Sequence, residues 1–121
     1  MADNPVTDPS EVHSLRQGAT LAIASVDLDR KTRLAQETAR RWHDRRLSLR
    51  SPLDPPLPDR PGRPAKPDLV PPKAVEKRSL HTLPGRIALL HALAHIELNA
   101  VDLALDIVAR FATEPVPQSF F

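Results

Sequence analysis

An all-α protein is what this sequence predicts, on three observations. Ala, Leu and Arg dominate outside the prolines, and all three favour helix. The aromatic residues are only Trp42, Phe111, Phe120 and Phe121, with no Tyr, whereas an all-β domain of this size usually carries more aromatic and β-branched side chains. Apolar residues recur at three- and four-residue spacing from Val12 to Val26 and again from Ile87 to Phe111. The 121 residues suffice for one small domain or part of one.

Three regions follow along the chain: a helical hairpin within residues 1–50, a proline-rich strap or linker over 51–85, and a long helix with the start of a following loop over 86–121. The first helix has a start signal in Asp8-Pro9-Ser10-Glu11: an N-cap Asp, a Pro at the first helical position and a Glu three residues after the cap. Val12, Leu15, Ala19, Ala22, Ile23 and Val26 then form one face, with Gly18 either weakening the middle or permitting a close contact. Asp27 or Asp29 can cap a second helix. Its apolar face (Leu34, Ala35, Thr38, Ala39, Trp42) is thin enough to need a partner.

Nine of the fourteen prolines fall between Pro52 and Pro72. Proline lacks an N–H and fixes φ, so this segment is expected to be extended, largely polyproline II. A structureless loop of this length is unusual inside a compact domain, which leaves a linker or a strap laid across another surface. The third helix is expected over residues 86–112, with Pro84 placed to start it and Pro115 to stop it.

Charge and composition exclude several classes. The net charge is +2 with a pI near 9.5. With neither Cys nor Tyr, little titrates between His and Lys, so a small basic excess carries the pI far up and says little about nucleic acid. The absence of Cys excludes disulfides and thiolate metal sites. No basic region followed by an apolar run marks a signal peptide near Met1. The Ile87–Phe111 stretch is broken by His, Glu and Asp, so it is not a membrane span. A cytoplasmic location is the default expectation. Only three glycines exist, so no glycine-rich phosphate loop can form, and no nucleophile elbow is present.

The residues with chemistry lie mostly on the third helix. At about 100° per residue, Leu90, Leu93, Ala94, Ala100, Val101, Ala104, Val108 and Phe111 all fall within roughly 60° of Glu97. Glu97 is thus expected at the centre of the apolar stripe, with His91, His95, Asn99, Asp102, Asp106 and Arg110 gathered opposite on a polar face. A buried carboxylate must be paired, protonated or bound to metal. Inward-facing Glu residues of helix bundles are the usual ligands of di-iron and di-manganese sites, and the competing reading is a Glu paired or hydrogen-bonded in the core. His91 and His95, four apart, could chelate a metal together with Asp102, although His and Asp on a polar face are ordinarily just solvated. The stretch Arg40-Arg41-Trp42-His43-Asp44-Arg45-Arg46 could bind phosphate or nucleic acid. Only one aromatic residue interleaves those charges, which favours the plainer reading that Arg40, Arg41, Arg45 and Arg46 solvate a helix end and complement its dipole.

The stretch Gly85-Arg86-Ile87-Ala88-Leu89-Leu90-His91-Ala92-Leu93-Ala94-His95-Ile96-Glu97-Leu98-Asn99-Ala100-Val101-Asp102-Leu103-Ala104-Leu105-Asp106 resembles the bacterial ferritin-like family known as domain of unknown function 455. The flanks agree: Pro64-Ala65-Lys66-Pro67-Asp68-Leu69-Val70-Pro71-Pro72 is similar to the proline-rich approach to that helix, and Pro115-Val116-Pro117-Gln118-Ser119-Phe120-Phe121 to the loop after it. The resemblance implies a ferritin-like bundle with a carboxylate-rich dinuclear iron or manganese site. Glu97 would then be the ligand from its first bundle helix. An oxygen-activating oxidoreductase or hydroxylase is the implied enzyme class by analogy only. The family pattern continues with further helices and a Glu-x-x-His ligand motif, which occurs nowhere in this sequence. The expectation is an N-terminal half that is inactive alone. Its partners would be missing C-terminal bundle helices or a second copy of the chain. The alternative is a non-catalytic helical interaction module whose apolar helix and proline strap bind a partner.

Overall fold

In the computed structural model, residues 12–65, 79–113 and 115–121 are described. Three α-helices are present among them: α1 (Leu15–Ala24), α2 (Leu28–His43) and α3 (Leu83–Phe111), followed by one 3-10 turn at Gln118–Phe120. The described residues contain no β-strand, only an isolated parallel bridge between Ser14 and Ser48. The protein is all-α. Two compact units divide it, one formed by residues 1–64 with 102–121 and the other by 65–101.

In the first unit, α1 starts later than its sequence signal suggests. Ser14 is the cap, its hydroxyl accepting from the Gln17 N–H at 2.9 Å, while the Asp8-Pro9 signal lies outside the described residues. Val12 is extended rather than helical, yet fully buried. The N–H groups of Leu15 and Arg16, orphans at any helix start, donate to the carbonyls of Ser48 and Leu49 at 2.8 and 3.1 Å. The chain leaving α2 therefore closes the end of α1. α1 stops at Ala24, so Val26 falls in the turn and is exposed rather than part of the apolar face.

Asp27 caps α2 by accepting from the Asp29 N–H, and α1 packs against α2 along their length. Gly18 settles as a point of close approach. A Cβ there would collide with the Thr38 side chain of α2, so only glycine lets the two helices meet at this crossing. Leu34 and Thr38 are buried from α2, Ala35 and Trp42 half-buried, and Ala39 exposed.

The first part of the proline-rich region, residues 51–65, has no regular secondary structure and is fastened to the hairpin by named bonds. Asp54 accepts from the Ser14 hydroxyl at 2.5 Å and from the Ser51 N–H at 2.8 Å. Leu57 packs on the core. The Gly62 N–H donates to the Ile23 carbonyl at 2.7 Å, and a Cβ at Gly62 would strike the backbone of Ala24 and Ser25. The rest of the proline-rich region, residues 66–78, lies outside the described residues. Leu105 and Ala109 complete the core formed by Val12, Ala19, Ala22, Ile23, Leu34 and Leu47.

In the second unit, Thr82 caps α3. Its hydroxyl accepts from the Gly85 N–H at 3.1 Å and donates to the Ser79 carbonyl. Gly85 has no room for a Cβ because that carbonyl sits against it. Pro84 lies in the first turn, where a missing N–H costs nothing.

Candidate functional site

α3 does not bury the face its apolar pattern suggests. Besides Gly85 in its first turn, Asp102, Leu105, Ala109 and, just beyond the helix, Ala112 are its buried residues. They lie roughly 80–140° around the helix from Glu97. Glu97 itself is exposed, as are Leu90, Leu93, Val101, Leu103 and Phe111. The burial that the apolar pattern suggests for Glu97 is therefore not found among the described residues. That face carries the Asp102 carboxylate together with Leu105 and Ala109, which join the core of the hairpin.

Asp102 is the second correction. It is buried, 3% exposed, not solvated on a polar face. Its two oxygens accept from the Lys31 ammonium at 2.5 Å and the Arg63 Nε at 2.8 Å. Lys31, 1% exposed, also donates to the Gly62 carbonyl at 2.8 Å. One carboxylate thus joins α2, the strap and α3, and two cations share the one buried anion. The sequence signal that could have found the pair is Lys31, a cation on the apolar side of α2, three residues before Leu34 and seven before Thr38.

His91 is exposed and His95 half-buried. Two residues along a helix turn a side chain roughly 160° away, so His95 and Glu97 cannot bind one ion from α3 alone. Among the described residues no three His, Asp or Glu side chains converge to hold a metal ion. The donors fit a metal site as a contribution to one, not as a whole site.

The basic segment has its own geometry. α2 ends in a C-terminal cap in which the Arg45 N–H donates to the Trp42 carbonyl at 3.0 Å and the Arg46 N–H to the Arg41 carbonyl at 2.9 Å. Arg45 occupies the left-handed position of this cap with φ 58°, where glycine is usual. Arg40 pairs with Glu37 at 2.5 Å and lies 3.7 Å from Asp44. Its guanidinium, chiefly by that hydrogen bond, holds the Glu37 carboxyl below its ordinary range. An open groove of about 710 Å³ lies beside the cap, lined by Trp42, His43, Arg45, Ser48, Gln118 and Ser119 among others. Trp42 meets Phe121 edge-to-face at 6.3 Å between ring centroids, and Phe121 meets Phe120 likewise at 5.1 Å.

Comparison with known proteins adds family information. The sequence pattern of the family described as "Protein of unknown function (DUF455)" matches residues 24–121. A protein of Haemophilus influenzae (strain ATCC 51907 / DSM 11121 / KW20 / Rd) named "Uncharacterized protein" is 58% identical over 48 residues, which are 40% of this chain and 17% of that protein. This chain thus matches less than a fifth of that relative's length. No solved structure matches the chain. No described helix is long and apolar enough to cross a membrane.

Proposed function

The chain belongs to the family of proteins of unknown function numbered 455, and we propose that α3 supplies one carboxylate ligand, Glu97, to a ferritin-like dinuclear iron or manganese site. The remaining ligands come from bundle helices outside this chain or from a second copy. The observation that carries this reading is the exposed stripe itself. A lone carboxylate stands among Leu90, Leu93 and Val101 on a face of a 29-residue helix that is exposed among the described residues. When further helices cover such a stripe, Glu97 becomes an inward carboxylate, the position from which bundle helices ligate paired metal ions. His91 and His95, turned away from Glu97, are weaker candidates and would serve a second face. A bound metal pair would supply oxygen-activating redox chemistry. This chain's part is to present a hard oxygen donor on a rigid helix.

Elemental mass spectrometry of the purified chain and its Glu97→Ala variant tests the reading. The expected result is iron or manganese in the wild-type chain, alone or co-expressed with the remainder of a longer family member, and loss of that metal in the variant. Metal retained by the variant, or absent from both partners when combined, would remove Glu97 from a ligand role.

The second reading, a non-catalytic helical interaction module, is favoured by the same exposed stripe together with the lack of three converging ligands among the described residues. It predicts that Glu97→Gln leaves association with a partner intact, and that no metal follows the complex.

A further inference from the structure

We propose that the groove beside the C-terminus of α2 binds single-stranded nucleic acid, with arginines on the phosphates and aromatic rings against the bases. Over residues 40–50 the chain carries Arg40, Arg41, Arg45, Arg46 and Arg50 against a single acid, Asp44. In sequence, one aromatic residue among these charges is too few for a stacking surface. Folding changes that count. The end of the chain brings Phe121 against Trp42 and Phe120 against Phe121, and Gln118 and Ser119 into the groove wall. Three rings therefore adjoin the basic segment, and Phe120 is 61% exposed.

Complementing the helix dipole does not account for this arrangement. The Arg40, Arg41 and Trp42 carbonyls of α2 accept from backbone N–H groups of its cap, and Arg45 and Arg50 lie beyond them, exposed and without an ion pair among the described residues. Arg45 also sits in a left-handed conformation that glycine would occupy at lower cost, and such outliers concentrate at functional positions. The groove volume lies in the about 300–1,000 Å³ range of clefts that take a small molecule or a nucleotide unit. Base-specific readout of a duplex through its major groove uses an inserted helix or β-ribbon. This site offers an open trough beside a helix end instead, which suits a flexible single strand.

Trp42 is the only tryptophan in the chain, so its fluorescence reports this groove alone. Titration of the full chain with an oligouridine and, separately, with inorganic polyphosphate of matched charge distinguishes base contact from charge alone. The expected result is quenching of Trp42 by the oligouridine only, with an affinity that falls as salt rises, the log–log slope being about −2 for three phosphate contacts on a single strand. Phe120→Ala should weaken oligouridine binding roughly fivefold or more. Arg45→Glu with Arg46→Glu should weaken it at least tenfold and flatten the salt slope. Arg50→Glu alone serves if the double variant loses helix content by circular dichroism. Equal binding of polyphosphate without quenching, no effect of Phe120→Ala, or no binding at low salt would each overturn the proposal.

Discussion

At the scale of single residues, the most consequential side chain is Asp102. Its carboxylate neutralises Lys31, which is almost wholly inaccessible to water. Removing one partner of a buried pair leaves the other charge uncompensated, and that costs far more than the pair contributes. Asp102→Asn is therefore expected to destabilise the chain by about 3–5 kcal/mol in urea denaturation. Replacing both residues, Lys31→Met with Asp102→Leu, should cost less, because the buried ammonium is then removed and only the more exposed Arg63 loses this carboxylate. A double variant as unstable as the single would show that Asp102 acts through Arg63 rather than Lys31. Residue-level chemistry was only partly legible. Asp102 and Glu97 are both acids on an amphipathic helix, and helical periodicity gives their relative angle without saying which direction the rest of the chain will cover.

At the scale of elements, glycines decide how segments meet. Gly18 allows α1 and α2 to cross at Thr38, and Gly62 allows the strap to reach the end of α1. The two positions differ in what a methyl group would strike. At Gly18 it meets a side chain that can rotate, whereas at Gly62 it meets the backbone of Ala24 and Ser25, which cannot. Overpacking of this kind typically costs about 1–3 kcal/mol. We expect Gly62→Ala to lie at the upper end of that range and Gly18→Ala to be partly rescued by Thr38→Ala, both read from thermal denaturation midpoints. Hydrogen exchange should also rise at the Gly62 amide in Gly62→Ala, since its bond to the Ile23 carbonyl must lengthen. The helices themselves were readable from capping signals and spacing, because those are local. The Ser14 cap was hidden by a stronger-looking signal at Asp8. What ranks them is the docking of Ser48 and Leu49 onto the start of α1, a contact between residues more than thirty positions apart.

At the scale of the whole molecule, the exposed apolar residues of α3 set the behaviour in solution. Leu90, Leu93 and Ile96 are 64%, 47% and 60% exposed on one helix. Contiguous apolar surface of this kind marks an association site or an aggregation liability. Sedimentation velocity is expected to show concentration-dependent self-association of the isolated chain, reduced by Leu93→Gln with Ile96→Gln. A strictly monomeric wild-type chain across that range would argue that α3 is covered by a segment outside the described residues.

The sequence by itself determined the all-α class, the positions of α2 and α3 and the family, because each rests on local chemistry: propensity, caps and a contiguous motif. Only the tertiary structure decided which face of α3 is buried, that Lys31 and Arg63 converge on Asp102, and that Phe120 and Phe121 join Trp42 beside the arginines. Those outcomes depend on packing between residues 39 to 79 positions apart. Helical periodicity fixes the angle between Glu97 and Asp102 on α3, but which of the two faces is covered depends on where Lys31, Arg63 and the hairpin core lie, and distant parts of the chain set those positions.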